Sequence, residues 1–299
     1  MLSRKYRYLM VLAQERHFGR AAARCHVSPS TLSAAIRDLE STLGVALVER
    51  GQSFSGLTAE GIAVLDFARR MASVEDDLRL HLSQLGAGIS GRLRLGVIPT
   101  ALTVVAALSA VLVKSHPQLT LEILSLNTDE ILRRVQAFEL EGGIVYTESS
   151  DGPGLDFIPI WQEQHVLIAG RDTAAAQREV ITWGEAALLP LCLLTPDMQN
   201  RKTINRVFAS LGLQPRPGVE TNSIMSMLSH VASGAWCCIL PRRVLDILDT
   251  AHCLHVVRLE QPAVSWQKGL VTLQREPRPV AVGALMAAAR RLTGASTSP

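Results

Sequence analysis

Across the N-terminal third of the chain, apolar side chains recur at helical spacing. Tyr6, Leu9, Leu12 and Ala13 predict a first helix over residues 2–15, and the small residues Ala21, Ala22 and Ala23 predict a second whose backbone another helix can approach closely. A third pattern starts at Ser28, whose hydroxyl can cap a helix, and Pro29 stands at the first helical position, where a missing N–H costs nothing. Leu32, Ile36 and Leu39 fall at i, i+4 and i+7 and form one buried stripe, which turns Ser30, Thr31, Ser33, Ala34 and Arg37 outward. Gly44 ends that helix, residues 45–50 run extended, and a turn through 51–56 leads to Thr58, a second capping residue.

Beyond Thr58, the apolar residues Val64, Ala68, Met71, Leu78, Leu82 and Leu85 recur in steps of four and three with one interruption at Glu75, which makes a seam for a partner helix. About 27 residues of helix span roughly 40 Å. A small winged domain does not cover that length, so a second copy of the chain is expected on this face. The run Gly86-Ala87-Gly88-Ile89-Ser90-Gly91 ends the helix and predicts a flexible hinge. There the period changes. Residues 92–98 alternate and then turn apolar, as a strand entering a core, and a helix opens at Pro99 and Thr100. A strand covers 119–124, a helix opens at Asn127 and Thr128, and a third strand covers 143–146. Strands at 165–169, 191–194, 218–221, 237–241 and 267–273 then alternate with helices over 201–211, 224–233 and 280–292. This alternation predicts parallel sheets in two similar α/β halves, with two chain crossings that leave a cleft between them.

At 299 residues the chain has the length for two or three compact units. Hydrophobic residues make up 47%, yet no apolar run nears the roughly 18 residues of a membrane span, so a soluble protein without a membrane partner is expected. The N-terminus enters its first helical pattern directly, without the apolar stretch and cleavage site of a signal peptide, which places the protein in the cytoplasm. Cys25, Cys192, Cys237, Cys238 and Cys253 lack metal-ligand spacing, and the apolar setting of Cys237 and Cys238 predicts buried thiol packing; no metal or cofactor is expected. The histidines are scattered and no phosphate-binding glycine loop precedes a helix, so the sequence offers no catalytic constellation. Net charge is only +3, but residues 1–60 carry eight basic against five acidic side chains, while residues 87–299 carry nineteen against eighteen. The excess on the N-terminal unit suits phosphate contact by Arg4, Lys5, Arg20, Arg24, Arg37 and Arg50.

The order helix, turn, helix, wing and long helix now carries a resemblance. Phe18, Ala21, Ala22, Val27, Ser28, Leu32, Ser33, Ile36, Leu39, Glu40, Leu43, Gly44, Leu47, Glu49, Arg50, Leu57, Thr58 and Gly61 stand where the N-terminal signature of the LysR-type transcriptional regulators has matching residues. The resemblance implies that Ser28, Ser30, Thr31, Ser33 and Arg37 lie at duplex DNA, with Arg50 on flanking phosphates. Where the family often has a basic residue and a glutamine after the serine at Ser33, this chain has Ala34 and Ala35. Base preference is therefore expected from Ser30, Thr31 and DNA shape rather than from an arginine fork on guanine. Residues 231–241 resemble the family's second-half signature, which implies an effector domain built like a periplasmic binding protein. Residues 49–58 and 138–144 resemble a branch associated with formate dehydrogenase genes, a likeness that assigns no effector.

The expected organisation is an all-α winged helix-turn-helix in residues 1–58 and a dimerisation helix in 59–86 bearing Val64, Met71, Leu78, Leu82 and Leu85. A hinge in 87–91 and an α/β effector-binding domain in 92–299 follow, its first subdomain formed by 92–163 with 268–299 and its second by 164–267. Ligands of open α/β sheets sit where strand ends meet helix N-termini. Thr100 and Thr128 stand at two helix starts, where free N–H groups favour an anion. Across the cleft, Thr195, Met198 and Asn200 follow one strand and Thr221 another. Hydroxyls and amides there suit a small carboxylate or similar polar metabolite, although helix capping alone also fits the two threonines. The expected function is a sequence-specific regulator that binds double-stranded promoter DNA under control of a small-molecule effector. It is expected as a homodimer or homotetramer that contacts RNA polymerase. A thiol redox-responsive regulator acting through Cys237 or Cys253 is the alternative.

Overall fold

The computed structural model describes residues 2–49, 54–87, 89–149, 152, 154–246 and 253–295, with backbone alone at 80, 81, 83–87, 294 and 295. Contacts divide the chain into two compact units, Met1–Ala87 with Ala137–Glu139, and Gly88–Gln136 with Leu140–Pro299.

The first unit contains helices α1 (Arg4–Glu15), α2 (Phe18–Arg24), α3 (Pro29–Leu43) and α4 (Ala59–Ala87). Leu9 and Leu12 of α1, Ala21 and Ala22 of α2, and Leu32, Ile36 and Leu39 of α3 form its core with Leu47 and Val48. Each helix start has a local cause. His17 Nδ1 accepts from the N–H of Gly19 (3.0 Å) and Arg20 (3.2 Å) ahead of α2, and Ser28 Oγ accepts from Thr31 N–H (3.1 Å) ahead of α3. Gly44 ends α3 at φ 71°, a left-handed conformation that glycine adopts without Cβ strain. The chain then runs to a single bridge between Val48 and Leu57. Glu40 Oε1 fixes its entry by accepting from Leu47 N–H (2.7 Å) and Val48 N–H (3.2 Å). Thr58 Oγ1 accepts from Gly61 N–H at 2.9 Å to start α4. Gly61 is required there for space, since a Cβ would stand 2.0 Å from the Leu47 carbonyl oxygen.

The second unit runs, in chain order, β1 (Gly91–Val97), α5 (Leu102–Ser115), β2 (Leu119–Ser125), α6 (Thr128–Gln136), β3 (Gly142–Tyr146), β4 (Leu155–Gly170), β5 (Val180–Thr182), α7 (Trp183–Ala186), β6 (Cys192–Leu194), α8 (Gln199–Ser210), β7 (Val219–Thr221), α9 (Ile224–Ala232), β8 (Cys237–Pro241), β9 (Leu254–Glu260), β10 (Ser265–Leu273) and α10 (Val280–Ala295). Its main sheet has the order β2-β1-β3-β10-β4-β9-β5, with β8 also paired to β4, and β6 and β7 form a small parallel sheet. In each half, buried aliphatic side chains pack between sheet and helices; Val166, Ile168, Cys192, Leu194, Met227, Val231, Cys238 and Leu240 make the core of the second.

Several expectations change here. The sheet is mixed rather than parallel. β1 pairs in parallel with β2 and β3, but β10 is antiparallel to β3 and β4, because the chain returning from the second half inserts between those two strands. β4 is one strand of sixteen residues, not a short one at 165–169. It pairs with β10 through Gln164 and with β8 from His165, so the two halves share it. β10 starts at Ser265, three residues earlier than expected for the first subdomain, and β5 and β9 were not anticipated. The expected hinge is short, since α4 reaches Ala87, Ile89 is buried and β1 starts at Gly91; Gly88 lies outside the described residues. No described helix is long and apolar enough to cross a membrane.

Candidate functional site

Two sets of polar side chains come from the sequence reading, and each is placed by different local structure. On α3 the stripe Leu32, Ile36 and Leu39 is buried, so the opposite face is presented. Ser28, Ser30, Thr31 and Arg37 are exposed and Ser33 is half-buried. Their hydroxyls are bonded to one another: Ser28 Oγ lies 2.8 Å from both Ser30 Oγ and Thr31 Oγ1. The Arg37 guanidinium folds back to Ser33 Oγ at 3.3 Å. Arg50 lies outside the described residues. Of the other basic side chains offered for phosphate, Lys5 pairs with Asp38, and Arg20 (3.7 Å) and Arg24 (2.7 Å) pair with Glu15. These are partly exposed pairs of small net energy, which a phosphate can displace.

The long helix α4 differs from the expected seam at one end. Val64 is half-buried against the core of the first unit, and Leu65 and Ala68 are buried, because the first turns of α4 cover that core. The exposed apolar row is Phe67 (61%), Met71, Val74, Leu78 and Leu82. Phe67 and Val74 therefore join Met71, Leu78 and Leu82, while the Leu85 side chain lies outside the described ones.

In the second unit a narrow crevice opens between the halves, with a cavity volume of only about 10 Å³, lined by Ile98, Pro99, Thr100, Asn127, Thr128, Tyr146, Leu194, Met198, Gln199 and Asn200. It brings together Thr100, Thr128, Met198 and Asn200. Thr195 and Thr221 are not among the lining residues; the Thr195 N–H bonds to the Thr221 carbonyl at 3.0 Å, and Thr221 Oγ1 accepts from Ser223 N–H at 3.2 Å. Neither Thr100 nor Thr128 caps a helix. The cap of α6 is Asn127, whose Oδ1 accepts from Glu130 N–H at 2.9 Å, and the buried Thr128 hydroxyl has no partner. Met198, the residue ahead of α8, supplies no side-chain cap, so the first N–H groups of that helix are unserved by a side chain beside the crevice.

Behind the crevice lies a charged cluster that the sequence reading did not single out. Lys268 of β10 is wholly buried and pairs with Glu163 of β4, itself 3% exposed. Lys268 Nζ also donates to Thr100 Oγ1 at 3.1 Å, and Trp161 Nε1 donates to Glu163 Oε1 at 2.8 Å. His165 Nε2 lies 2.7 Å from Asn200 Nδ2, while its Nδ1 and the Asn200 Oδ1 are buried without partners. Burial, reinforced by the Lys268 charge, holds the His165 imidazole well below its ordinary pKa, so the ring is neutral. A signal for this cluster did exist. Trp161, Glu163 and His165 alternate on one strand and Trp266 and Lys268 on another, so charged residues occupy inward positions of strands that are otherwise apolar inside.

No cysteine lines the crevice. Burial pushes the thiol pKa of Cys192 and Cys237 up, and that of Cys238 well up with help from its two cysteine neighbours. A redox-active thiol needs the opposite shift. Among the described residues no group of His, Cys, Asp and Glu has a metal-holding arrangement.

Comparison with known proteins supplies the context for both sites. Residues 3–62 match the model described as bacterial regulatory helix-turn-helix protein, lysR family, and residues 86–293 match that of the LysR substrate binding domain. The DNA-binding transcriptional dual regulator OxyR of Escherichia coli strain K12 is 29% identical over 239 residues, covering 80% of this chain and 78% of that protein. A full-length, singly substituted OxyR from Pseudomonas aeruginosa superposes with a TM-score of 0.73 at 26% identity, covering 97% of this chain and 98% of that one. Full-length CbnR complexed with its target DNA gives 0.70 at 22% identity, covering 97% and 99%.

Proposed function

The chain belongs to the LysR family of bacterial transcriptional regulators, whose members are not enzymes, and is a DNA-binding regulator with an effector-binding domain; we propose that α3 reads promoter DNA while the crevice of the second unit receives a small polar or anionic metabolite. The DNA half of this reading rests on Ser28, Ser30, Thr31, Ser33 and Arg37, which share one face of an anchored helix. In that arrangement hydroxyls and a guanidinium reach base edges and phosphates together. Arg50 would join them from the wing. The observation that carries the effector half is a pair of residues in the wall of one crevice, Thr128 and Asn200, each with one end of a buried polar side chain left without a partner. A buried polar atom without a partner costs free energy that a guest able to bond it recovers.

Ligand control follows if the guest favours one arrangement of the two halves and thereby shifts a two-state equilibrium, for which about 1 to 3 kcal/mol of coupling is typical. A second copy of the chain would cover Phe67, Met71, Val74, Leu78 and Leu82, giving a cytoplasmic homodimer or a homotetramer of two such dimers that meets RNA polymerase at the promoter. We place a thiol redox switch second. The E. coli relative is named OxyR; burial moves Cys192, Cys237 and Cys238 away from thiolate character, which leaves the exposed Cys253 as the thiol such a switch would use. The test is selection of duplexes from a random library at moderate salt, followed by footprinting with a metabolite panel. The expected result is an enriched site whose footprint changes with one class of small polar metabolite; equal binding of enriched and scrambled duplexes, or a footprint that answers only to peroxide, overturns the reading.

A further inference from the structure

Lys268 is wholly buried. Its three ammonium protons are accounted for by the Glu163 carboxylate, by Thr100 Oγ1 at 3.1 Å with the Thr100 carbonyl at 3.5 Å, and by the face of the Tyr146 ring, whose centroid is 4.8 Å away. Glu163 is fixed in turn by Trp161 Nε1. The contact with Thr100 has a consequence for the crevice. A hydroxyl oxygen that accepts from a cation must turn its own proton elsewhere. The one other hydrogen bond of the Thr100 hydroxyl is to the Tyr146 hydroxyl at 3.5 Å, a long contact that a guest in the crevice lined by Thr100 can replace.

The opposite wall has the same polarity. A neutral His165 ring carries one N–H and one lone pair. If its proton sat on Nδ1, a buried N–H would have no partner, the costlier kind of orphan. With the proton on Nε2, the ring donates to the Asn200 amide oxygen, only a lone pair is left bare, and the N–H groups of Asn200 are left for the crevice. The O and N of such an amide are assigned by their hydrogen bonds rather than by their shape. Thr100, Asn200 and the free hydroxyl of Thr128 thus offer a guest three donors from both halves.

We propose that Lys268 is a positioning residue for ligand selection: acting through Thr100, it makes the crevice a donor-lined site that takes the charged oxygen end of a carboxylate in preference to the isosteric amide. The proposal rests on the crevice being the effector site. An amide guest would turn an N–H toward donors, whereas a carboxylate accepts from all of them.

The experiment titrates the full-length protein with the matched pairs acetate and acetamide, propionate and propionamide, and benzoate and benzamide, read by tryptophan fluorescence and by thermal shift. In the unsubstituted protein each acid is expected to bind about tenfold tighter than its amide, the margin of a charge-assisted bond over a neutral one. Lys268→Met alone strands Glu163, so the informative variant is Lys268→Met with Glu163→Gln, whose cooperative thermal unfolding verifies the fold. There the acid-to-amide ratio is expected to fall well below that of the unsubstituted protein while amide binding persists, with Asn200 and Thr128 supplying the preference that remains. Thr100→Ser retains the preference expected of a hydroxyl, and Thr100→Val lowers it as the double variant does. An unchanged ratio in the double variant overturns the role of Lys268. Amides bound as tightly as acids by the unsubstituted protein overturn the proposal and leave the crevice a ligand site; no binding by any probe overturns both.

Discussion

The hydroxyls of α3 and those of the crevice are the same chemical groups in opposite surroundings. On α3, Ser28, Ser30 and Thr31 are exposed, bond to each other, and rest on a stripe of buried aliphatic residues. In the second unit, Thr100 and Thr128 are each 2% exposed, and the former is bonded to a buried ammonium. Water can compete for the first set at any moment, so its arrangement is inexpensive and any partner must displace solvent. The second set is committed in advance, because burial makes every unmatched donor or acceptor costly. A surface that meets a large polyanion can leave its bonds to be made on contact, whereas a site for a few atoms has to hold its polarity before the guest arrives.

All four tryptophans, Trp161, Trp183, Trp236 and Trp266, lie in the second unit, so their fluorescence follows its unfolding alone. That separates the consequences of changes in the two regions. The largest expected effect is in the buried cluster. Lys268→Met leaves the Glu163 carboxylate buried without its cation, and the second unit should lose about 3 to 5 kcal/mol in urea unfolding followed by tryptophan emission. A loss below about 1 kcal/mol, the scale of an exposed pair, would erase the contrast between the regions. Next, Gly61→Ala forces a methyl group against the Leu47 carbonyl and should destabilise the first unit by about 1 to 3 kcal/mol. Circular dichroism should register that loss and DNA affinity should fall, while the tryptophan transition stays in place; a shared shift would mean that the regions do not answer separately. The smallest effect is a slope. His165 stays neutral in the folded chain, whereas unfolded it gains a proton below its ordinary pKa of 6.5. The unfolded state then binds more protons, so the stability of the second unit should decline as pH falls below about 6.5, by up to about 1.4 kcal/mol per unit. His165→Gln should flatten that decline, as measured by urea unfolding at a series of pH values.

The first unit was legible because its determinants are local. A capping serine, a following proline, an i, i+4, i+7 stripe and a glycine at the helix end act over a few residues, and all of them appear in α3. In the second unit, β8 lies where its apolar run suggested, but the first ten residues of β4 were missed. Pro159, Gln162, Glu163 and Gln164 interrupt the apolar pattern there. Those polar residues belong to a strand because of partners far along the chain: Gln162 bonds Ser265, and Glu163 pairs with Lys268. Periodicity within a window carries no trace of such partners. β5 is only three residues long, and β9 includes His255, Arg258 and Glu260, so neither reads as a core strand. In the crevice, Thr100, Thr128, Met198 and Asn200 could be picked out from their places after strands, whereas Thr195 and Thr221 shared that signal and do not line it: the Thr221 hydroxyl accepts from Ser223 N–H, and the Thr195 hydroxyl is buried elsewhere without a hydrogen-bond partner.

β4 passes without a break from one half of the second unit to the other, about 50 Å of backbone at the usual rise per residue. Between Gln164 and His165 its lateral neighbours are exchanged, and Glu163 and His165 stand on either side of that point. A loop joining the halves would let them swing freely. A continuous strand behaves instead as a torsion bar, which resists bending and yields by a change of twist spread over many peptide units. Occupancy of the crevice would then be transmitted as torque, felt along the whole bar at small angles, and a single proline placed at its midpoint would slacken the coupling while sparing both grips.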